Sequence, residues 1–261
     1  MSVDGRIAAF TLLELDKIDS TNSEAMRRAA RGERGPLCIV AHTQTAGKGR
    51  SGRGWVTSSG NLAATLLFAP RCPTSVLPQL SIVAGVAVFD AVASSWPPGE
   101  AAAAGLRLKW PNDLMIGAAK LGGILVETTT MSDALLVSIG IGINIAHAPA
   151  VSGRRIACLA QHRTILPMPR EVARLVLHHF IHWFGVWDSG GNFRAIRAAW
   201  LERAGPLGEA MTINSGAGPI AGVFAGLDTD GALLLCDDAG QRQRFTFGDV
   251  SLESTIGTSA E

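Results

Sequence analysis

The residues whose types and spacing could do chemistry gather in three short stretches. In the first, His42 to Trp55 (HTQTAGKGRSGRGW), three cations, Lys48, Arg50 and Arg53, fall within six residues and alternate with glycines. Glycine lets backbone N–H groups approach a ligand closely while the cations add charge, a combination suited to a phosphate or a carboxylate. A P-loop is excluded, because Gly49 rather than Ser or Thr follows Lys48 and the upstream glycine is missing. On composition alone, a basic surface loop explains the stretch equally well. Trp55 reads either as a stacking platform for a base or as core.

The second stretch is Lys109-Trp110-Pro111-Asn112-Asp113, with Lys120 seven residues beyond Asp113 at the head of LGGILVE. A lysine there would set an ammonium at the edge of the core; standing alone, it would read as a strand-end lysine in solvent. The third, Gly140-Ile141-Gly142-Ile143-Asn144, lacks the third glycine and following helix of a dinucleotide fingerprint, and that reading is rejected.

Helices and strands must position these stretches. Ser20, Thr21 and Asn22 ahead of Glu24-Ala25 mark a helix N-terminus. Residues 37–42 (LCIVAH) read as a buried strand feeding a glycine-dense loop at 45–54, and 62–68 as the next strand. Apolar residues on a helical period run from Leu80 to Ser94, ahead of the breaker WPPG; 101–104 is an uninformative connection. Leu106 to Trp110 alternates and stops at Pro111, Gly117-Ala118-Ala119 reads as a hairpin turn, and Lys120–Glu127 and Ala134–Ile145 as strands. Pro169 to Trp187 is a helix by its period, and Phe193 to Leu201 another. His178, His179 and His182 share metal-like spacing but read as decoration of that helix, and Trp183 and Trp187 as core. Beyond Leu207 the chain changes to short β-type runs with Gly and Asp-Gly punctuation, the pattern of a small barrel.

The 261 residues suit one large domain with a small companion, and 47% apolar against 17% charged residues excludes disorder. With 23 basic and 22 acidic side chains, general nucleic-acid or membrane-surface binding has no support. Cys38, Cys72, Cys158 and Cys236 form no CxxC pair and read as apolar side chains. No stretch reads as a secretory signal or as long and apolar enough to span a membrane, so the chain is expected to be cytoplasmic.

Taken together, DSTNSEA (19–25), TQTAGKGRSGRGW (43–55), KWPND (109–113), KLGGILVE (120–127) and GIGIN (140–144) resemble biotin protein ligase in order and spacing, and 231–252 resembles that family's C-terminal barrel. The resemblance implies a mixed α/β sheet with helices on one side over residues 1–206 and an SH3-like β-barrel over 207–261. It implies ATP-dependent formation of biotinyl-AMP, then transfer to a lysine of a biotin carboxyl carrier protein, most readily that of acetyl-CoA carboxylase. Ser20, Thr21, Asn22 and Gln44 would line the biotin end, with Ser20 and Gln44 on the ureido head. Gly47, Lys48, Gly49 and Arg50 would clasp the biotin carboxylate and α-phosphate, chiefly through backbone N–H groups. Arg50 and Lys120 would be catalytic; Arg53, Asn112 and Asp113 would border the adenylate. Trp55 would stack on adenine, and Asn144 with Gly140 and Gly142 would hold the nucleotide's far side. Asp113 would assist the incoming amine or be a structural turn residue.

Mg²⁺ would arrive with ATP, since no carboxylate cluster marks a metal site. Departures from the pattern are Lys48, where Arg is common, and Gly122-Gly123, where Ala-Gly is commoner, the latter read as a small steric change. Residues 146–160 resemble the family only faintly, where a lid over the adenylate would be expected. With the first motif starting at Asp19, a DNA-binding domain before it is not expected. The alternatives are a lipoate or octanoate ligase of the same fold, a non-enzymatic sensor of biotinyl-AMP and an inactive relative. Monomer and homodimer both remain open.

Overall fold

The computed structural model describes residues 10–131, 134–214 and 218–252. Residues 1–9 and 253–261, assigned from sequence to the outer ends of the two domains, lie outside the described residues. The chain begins with β1 (Thr11–Ile18), α1 (Thr21–Ala30), β2 (Leu37–Lys48), β3 (Gly54–Thr57), β4 (Leu62–Phe68), α2 (Leu80–Ala93) and the single turn α3 (Glu100–Ala103). It continues with β5 (Leu106–Lys109), β6 (Asp113–Ile116), β7 (Ala119–Met131), β8 (Ala134–Ile143), α4 (Pro169–Trp187) and α5 (Phe193–Arg203). Five short strands follow: β9 (Ala210–Asn214), β10 (Pro219–Leu227), β11 (Leu233–Cys236), β12 (Arg242–Phe245) and β13 (Asp249–Leu252).

The first eight strands form one mixed sheet in the order β1-β2-β4-β8-β7-β6-β5, with β3 paired to β2 alone. Only the β1–β2 pairing is parallel. The last five strands form an antiparallel sheet in the order β12-β11-β10-β9-β13, compatible with an SH3-like unit though its described pairings do not close it into a barrel.

All seven residues of β4 are buried, because the sheet is covered on both faces. Leu62, Ala64, Leu66 and Phe68 face the layer made by α2, α4 and α5, whereas Leu67 faces α1. The sheet therefore does not carry all its helices on one side. α1 lies opposite the others, resting Ala25 and Ala29 on Leu37, Ile39, Leu67 and Leu136. Its apolar stripe is narrow, which leaves its polar N-terminal turn free to border a cavity on that face.

α2 is apolar all round, as a helix between layers must be. With the 3-10 turn before it, Thr74–Ala93 is a 20-residue helical span long and apolar enough to cross a membrane, which corrects the expectation that no such segment exists. Here 67% of its most apolar 18-residue stretch is buried inside the protein. α4 has the bounds that Pro169 and the 3.6 period imply, since proline is pre-organised for a first helical turn. Met211, Ile213, Phe224 and Leu233 of the second sheet join the core that holds Leu108 and Trp200.

Candidate active site

A cavity of about 660 Å³ opens on the α1 face of the large sheet, and all the residues assigned from sequence to a ligand line it except Gly47. One end is polar and neutral. Asp19 Oδ1 accepts from Ser20 N at 2.7 Å and pairs with Arg27, fixing the entry to α1. Ser20, 1% exposed, caps the helix: its Oγ accepts from Ser23 N at 3.4 Å and its hydroxyl proton remains to donate. Gln44 Oε1 accepts from Thr21 N and Oγ1 at 2.8 and 3.0 Å, and its Nε2 donates to Thr57 Oγ1 at 2.9 Å. Thr65 Oγ1 donates to Asn22 Oδ1 at 2.5 Å, and Asn22 Nδ2 donates to Glu127 Oε2 at 2.8 Å. Such a cross-linked network holds its side chains rigid, and Thr57, Thr65 and Glu127 belong to it although none was assigned to the site from sequence, Glu127 only closing the KLGGILVE motif.

The glycine-dense stretch is not a free loop. β2 runs on to Lys48 and pairs with β3, with an irregularity between Gln44 and Gly47. The expected loop over 45–54 is therefore a hairpin closed by a 3-10 turn at Arg50–Gly52, with Ser51 at φ 54. Gly47 does not line the cavity. A Cβ there would run into Trp55 O and stand 2.8 Å from Gln44 Nε2, so the glycine is needed for the hairpin to close over Gln44.

The other end is cationic. Arg50 Nη1 donates to Asn112 Oδ1 at 3.0 Å, while Nη2 donates to Gly248 O at 3.1 Å. Arg53 Nη2 bonds Asp249 Oδ1 at 2.8 Å, and Arg50 stands 3.8 Å from the same oxygen. The Arg53 hydrogen bond holds the Asp249 carboxyl below the usual range. Asn112 Nδ2 donates to Ile124 O at 2.5 Å, so this amide is committed at both ends and orients Arg50.

Between the two ends, Asp113 accepts from two lysines: Lys109 Nζ at 3.1 Å and Lys120 Nζ at 2.5 Å, with only 14–19% of these three side chains exposed. Burial pushes the Asp113 carboxyl up, but the two ammoniums outweigh it and hold it below its ordinary value. Burial likewise lowers Lys120, and Asp113 opposes that fall. A carboxylate held this way is a poor base and a good anchor.

The cavity floor is made of glycine. A Cβ on Gly140 would collide with the Asn22 amide, and one on Gly142 with the Trp55 indole, which lies across β8. The Lys120 ammonium stands 5.7 Å from that ring. At Gly122 an added Cβ would stand 2.8 Å from Gly142 O, so its difference from alanine is not the small change read from sequence. Asn144, 1% exposed, donates from Nδ2 to Ala157 O at 3.1 Å and thereby ties β8 to the segment after it. Asn61 was missed by sequence: its Oδ1 accepts from the N–H groups of Ile145, Ala146 and His147 at 3.0, 2.9 and 3.0 Å. Among the described residues no group of three or more His, Cys, Asp or Glu could hold a metal ion.

Residues 15–144 match the model of the biotin/lipoate A/B protein ligase family, and 207–253 match the biotin protein ligase C-terminal domain. The chain is 38% identical over 234 residues to a biotin–[acetyl-CoA-carboxylase] ligase of Paracoccus denitrificans, an alignment covering 87% of this chain and 95% of that protein. It is 30% identical over 247 residues to a bifunctional ligase/repressor of Bacillus subtilis, covering 92% of this chain and 74% of that protein. A solved biotin protein ligase of Aquifex aeolicus, in complex with biotin and ATP, superimposes with a TM-score of 0.75 at 27% identity, covering 93% of this chain and 98% of that one.

Proposed function

The chain belongs to the biotin protein ligases of the biotin/lipoate A/B protein ligase family, and from that premise we propose that it activates biotin with ATP and transfers it to a lysine of a biotin carboxyl carrier protein. One observation carries the reading to this site: a single cavity sets a rigid neutral hydrogen-bonding end beside a strongly cationic one. Ser20, Thr21, Asn22 and Gln44 supply the first. A urea needs donors and acceptors when buried, and Ser20 Oγ–H and the second Nε2 proton of Gln44 are available donors.

In the first step a biotin carboxylate oxygen bonds the α-phosphorus of ATP, and the bond from that phosphorus to the bridging oxygen breaks, releasing pyrophosphate. Two anions must meet, so neutralising charge is the main demand on the protein. Arg50 and Lys120 meet that demand where carboxylate and α-phosphate join. Asn112 holds the guanidinium and Asp113 the ammonium, and Lys48 lines the same cavity; Gly47 lies outside the lining and the Gly49 N–H is given to Arg53 O at 2.7 Å, so the backbone contacts that the resemblance implied for these two glycines are not part of this reading. Arg53 adds charge, and Trp55, Gly140, Gly142 and Asn144 border the nucleotide. In the second step the carrier lysine's nitrogen attacks the acyl carbon, AMP leaves, and the amide forms. Mg²⁺ is read as part of the ATP substrate, neutralising its phosphates, and no protein step depends on it.

We divide the chain at 206/207, between the end of α5 and the start of β9, and read it as a cytoplasmic enzyme, where ATP and four unpaired cysteines both belong. The test is pyrophosphate release with ATP, Mg²⁺ and biotin, with lipoate in parallel and Arg50→Ala and Lys120→Ala as controls. Release with biotin, cut roughly 10²–10³-fold by either substitution, is expected. Release with lipoate alone would move the protein to the lipoate ligases, and none from a folded, biotin-binding protein would make it a sensor.

A further inference from the structure

The segment after β8, which resembles the family least, carries two adjacent arginines to the cavity rim. It is fixed there by backbone bonds to the lysine of the site: Lys120 N donates to Arg155 O at 2.8 Å, and Ala157 N donates to Lys120 O at 2.9 Å. Arg154 is exposed, and among the described residues it makes no ion pair with any carboxylate. Four of the other cations are shared out, Arg50 and Arg53 on Asp249 and Lys109 and Lys120 on Asp113, which leaves Lys48, Arg154 and Arg155 as the cavity's cations without a carboxylate among the described residues. Arg154 is near enough that its charge helps lower Lys120, after burial, and helps lower Asp249, after the Arg53 hydrogen bond.

We propose that Arg154 binds the pyrophosphate portion of ATP, the part that leaves, and therefore serves the first step of the reaction alone. This rests on the ligase reading above. Seven cationic side chains line the cavity against two carboxylates, a surplus of five. ATP with its Mg²⁺ and biotin together bring about three negative charges, of which the bound adenylate keeps only about one. Most of the negative charge that the cavity must hold thus belongs to a group that departs. Arg50 and Lys120 are largely buried beside Asn112 and Asp113, where the retained α-phosphoryl group and acyl carbon must sit. Arg154 is on the rim, where a leaving group can be held by a side chain and still exit to solvent. Its planar guanidinium can bridge two phosphate oxygens, which a lysine cannot match.

The experiment separates the two half-reactions in the full-length protein. Biotin-dependent exchange of pyrophosphate into ATP reads the first; transfer from supplied biotinyl-AMP to a carrier lysine reads the second. Arg154→Ala is expected to raise the KM for ATP and for pyrophosphate about tenfold, with transfer unchanged within twofold. Arg154→Lys should recover part of that loss and Arg154→Glu should deepen it, whereas Arg50→Ala should depress both half-reactions. An unchanged melting temperature excludes misfolding as the cause. Unaltered ATP and pyrophosphate KM values in Arg154→Ala, or an equal loss in both half-reactions, would overturn the proposal. If the unmodified protein shows no biotin-dependent exchange, it is the ligase reading that fails, a result distinct from either.

Discussion

Replacing Asp113 with Asn tests whether this carboxylate acts on the acceptor amine or on Lys120. The substitution keeps the shape and removes the only carboxylate that Lys109 and Lys120 touch among the described residues. Removing one partner of a buried pair typically costs about 3–5 kcal/mol, and the open cavity puts the expected loss at the lower end, about 3 kcal/mol. Asp113 is depressed in the folded state, so its contribution is present above the ordinary carboxylate value of 3.8 and disappears as pH falls through the folded one. The stability difference between the two proteins should therefore be full at neutral pH and shrink in acid. Lys120 gives the second readout. In the role proposed for it, the protonated form neutralises the reacting anions, so exchange should fall as pH rises through its folded value. Burial already lowers that value and Asp113 opposes the fall. In Asp113→Asn the opposition is gone, and the alkaline limb of the exchange rate should move to lower pH. Chemical denaturation at several pH values and a pH profile of pyrophosphate exchange are the assays. A normal exchange profile with transfer from biotinyl-AMP selectively lost would refute the anchoring argument and make Asp113 a group that handles the amine.

Two substitutions test the frame around the site. Asn61→Ala leaves three consecutive N–H groups, those of buried Ile145, half-buried Ala146 and exposed His147, without their acceptor. Unpaired groups of this kind cost about 1–3 kcal/mol each, and partial hydration near the cavity brings the expected total to about 3 kcal/mol. The melting temperature should fall by roughly 2–4 °C per kcal/mol, and a change under 1 °C would show that Asn61 does not organise this turn. Gly142→Ala sets a methyl group into the Trp55 indole and should cost about 1–3 kcal/mol by overpacking. Trp55→Ala in the same protein should recover most of that loss, and strictly additive effects of the two would mean that the ring and β8 do not touch.

What the sequence revealed and what it hid divide along a physical line. The bounds of α4 were readable because Pro169 and a 3.6-residue apolar period act within one element. The end of β2 was not. Gly47 looks like a loop residue until β3 provides the partner that makes 45–48 a strand. Ser20, Gln44, Arg50 and Lys120 were found through a motif pattern, and the fold brings them to one cavity. Asn61 lies outside every motif, and Glu127 and Asp249 lie within recognised stretches without any role being readable, since what each does depends on partners 84–86, 105 and 196 residues away. The placement of α1 opposite the other helices was hidden for a similar reason: two alanines on one helix face do not announce which side of a sheet they will cover.

Asp249 also bears on what the small sheet contributes. Its strand grips the large sheet at three consecutive residues: Gly248 O on Arg50, Asp249 on Arg53 and Arg50, and Val250 O on Lys109 at 2.7 Å. Lys109 in turn holds Asp113. Removing residues 207–261 would thus release three cations of the site at once, and lost adenylation after such a deletion would say nothing about carrier docking. Asp249→Asn is the sharper probe, because the backbone acceptors of Gly248 and Val250 stay in place. On the proposed site assignment the carboxylate would have two opposing effects on ATP: by orienting Arg50 and Arg53 it would favour the transition state, and as an anion it would compete with the phosphates those arginines bind. Losing it should lower the KM for ATP and lower kcat together, each by about three- to tenfold, leaving kcat/KM nearly constant. Steady-state pyrophosphate release against ATP concentration measures both. A raised KM with unchanged kcat would mean that Asp249 only bridges the sheets, and the small sheet would then be a support rather than part of the site.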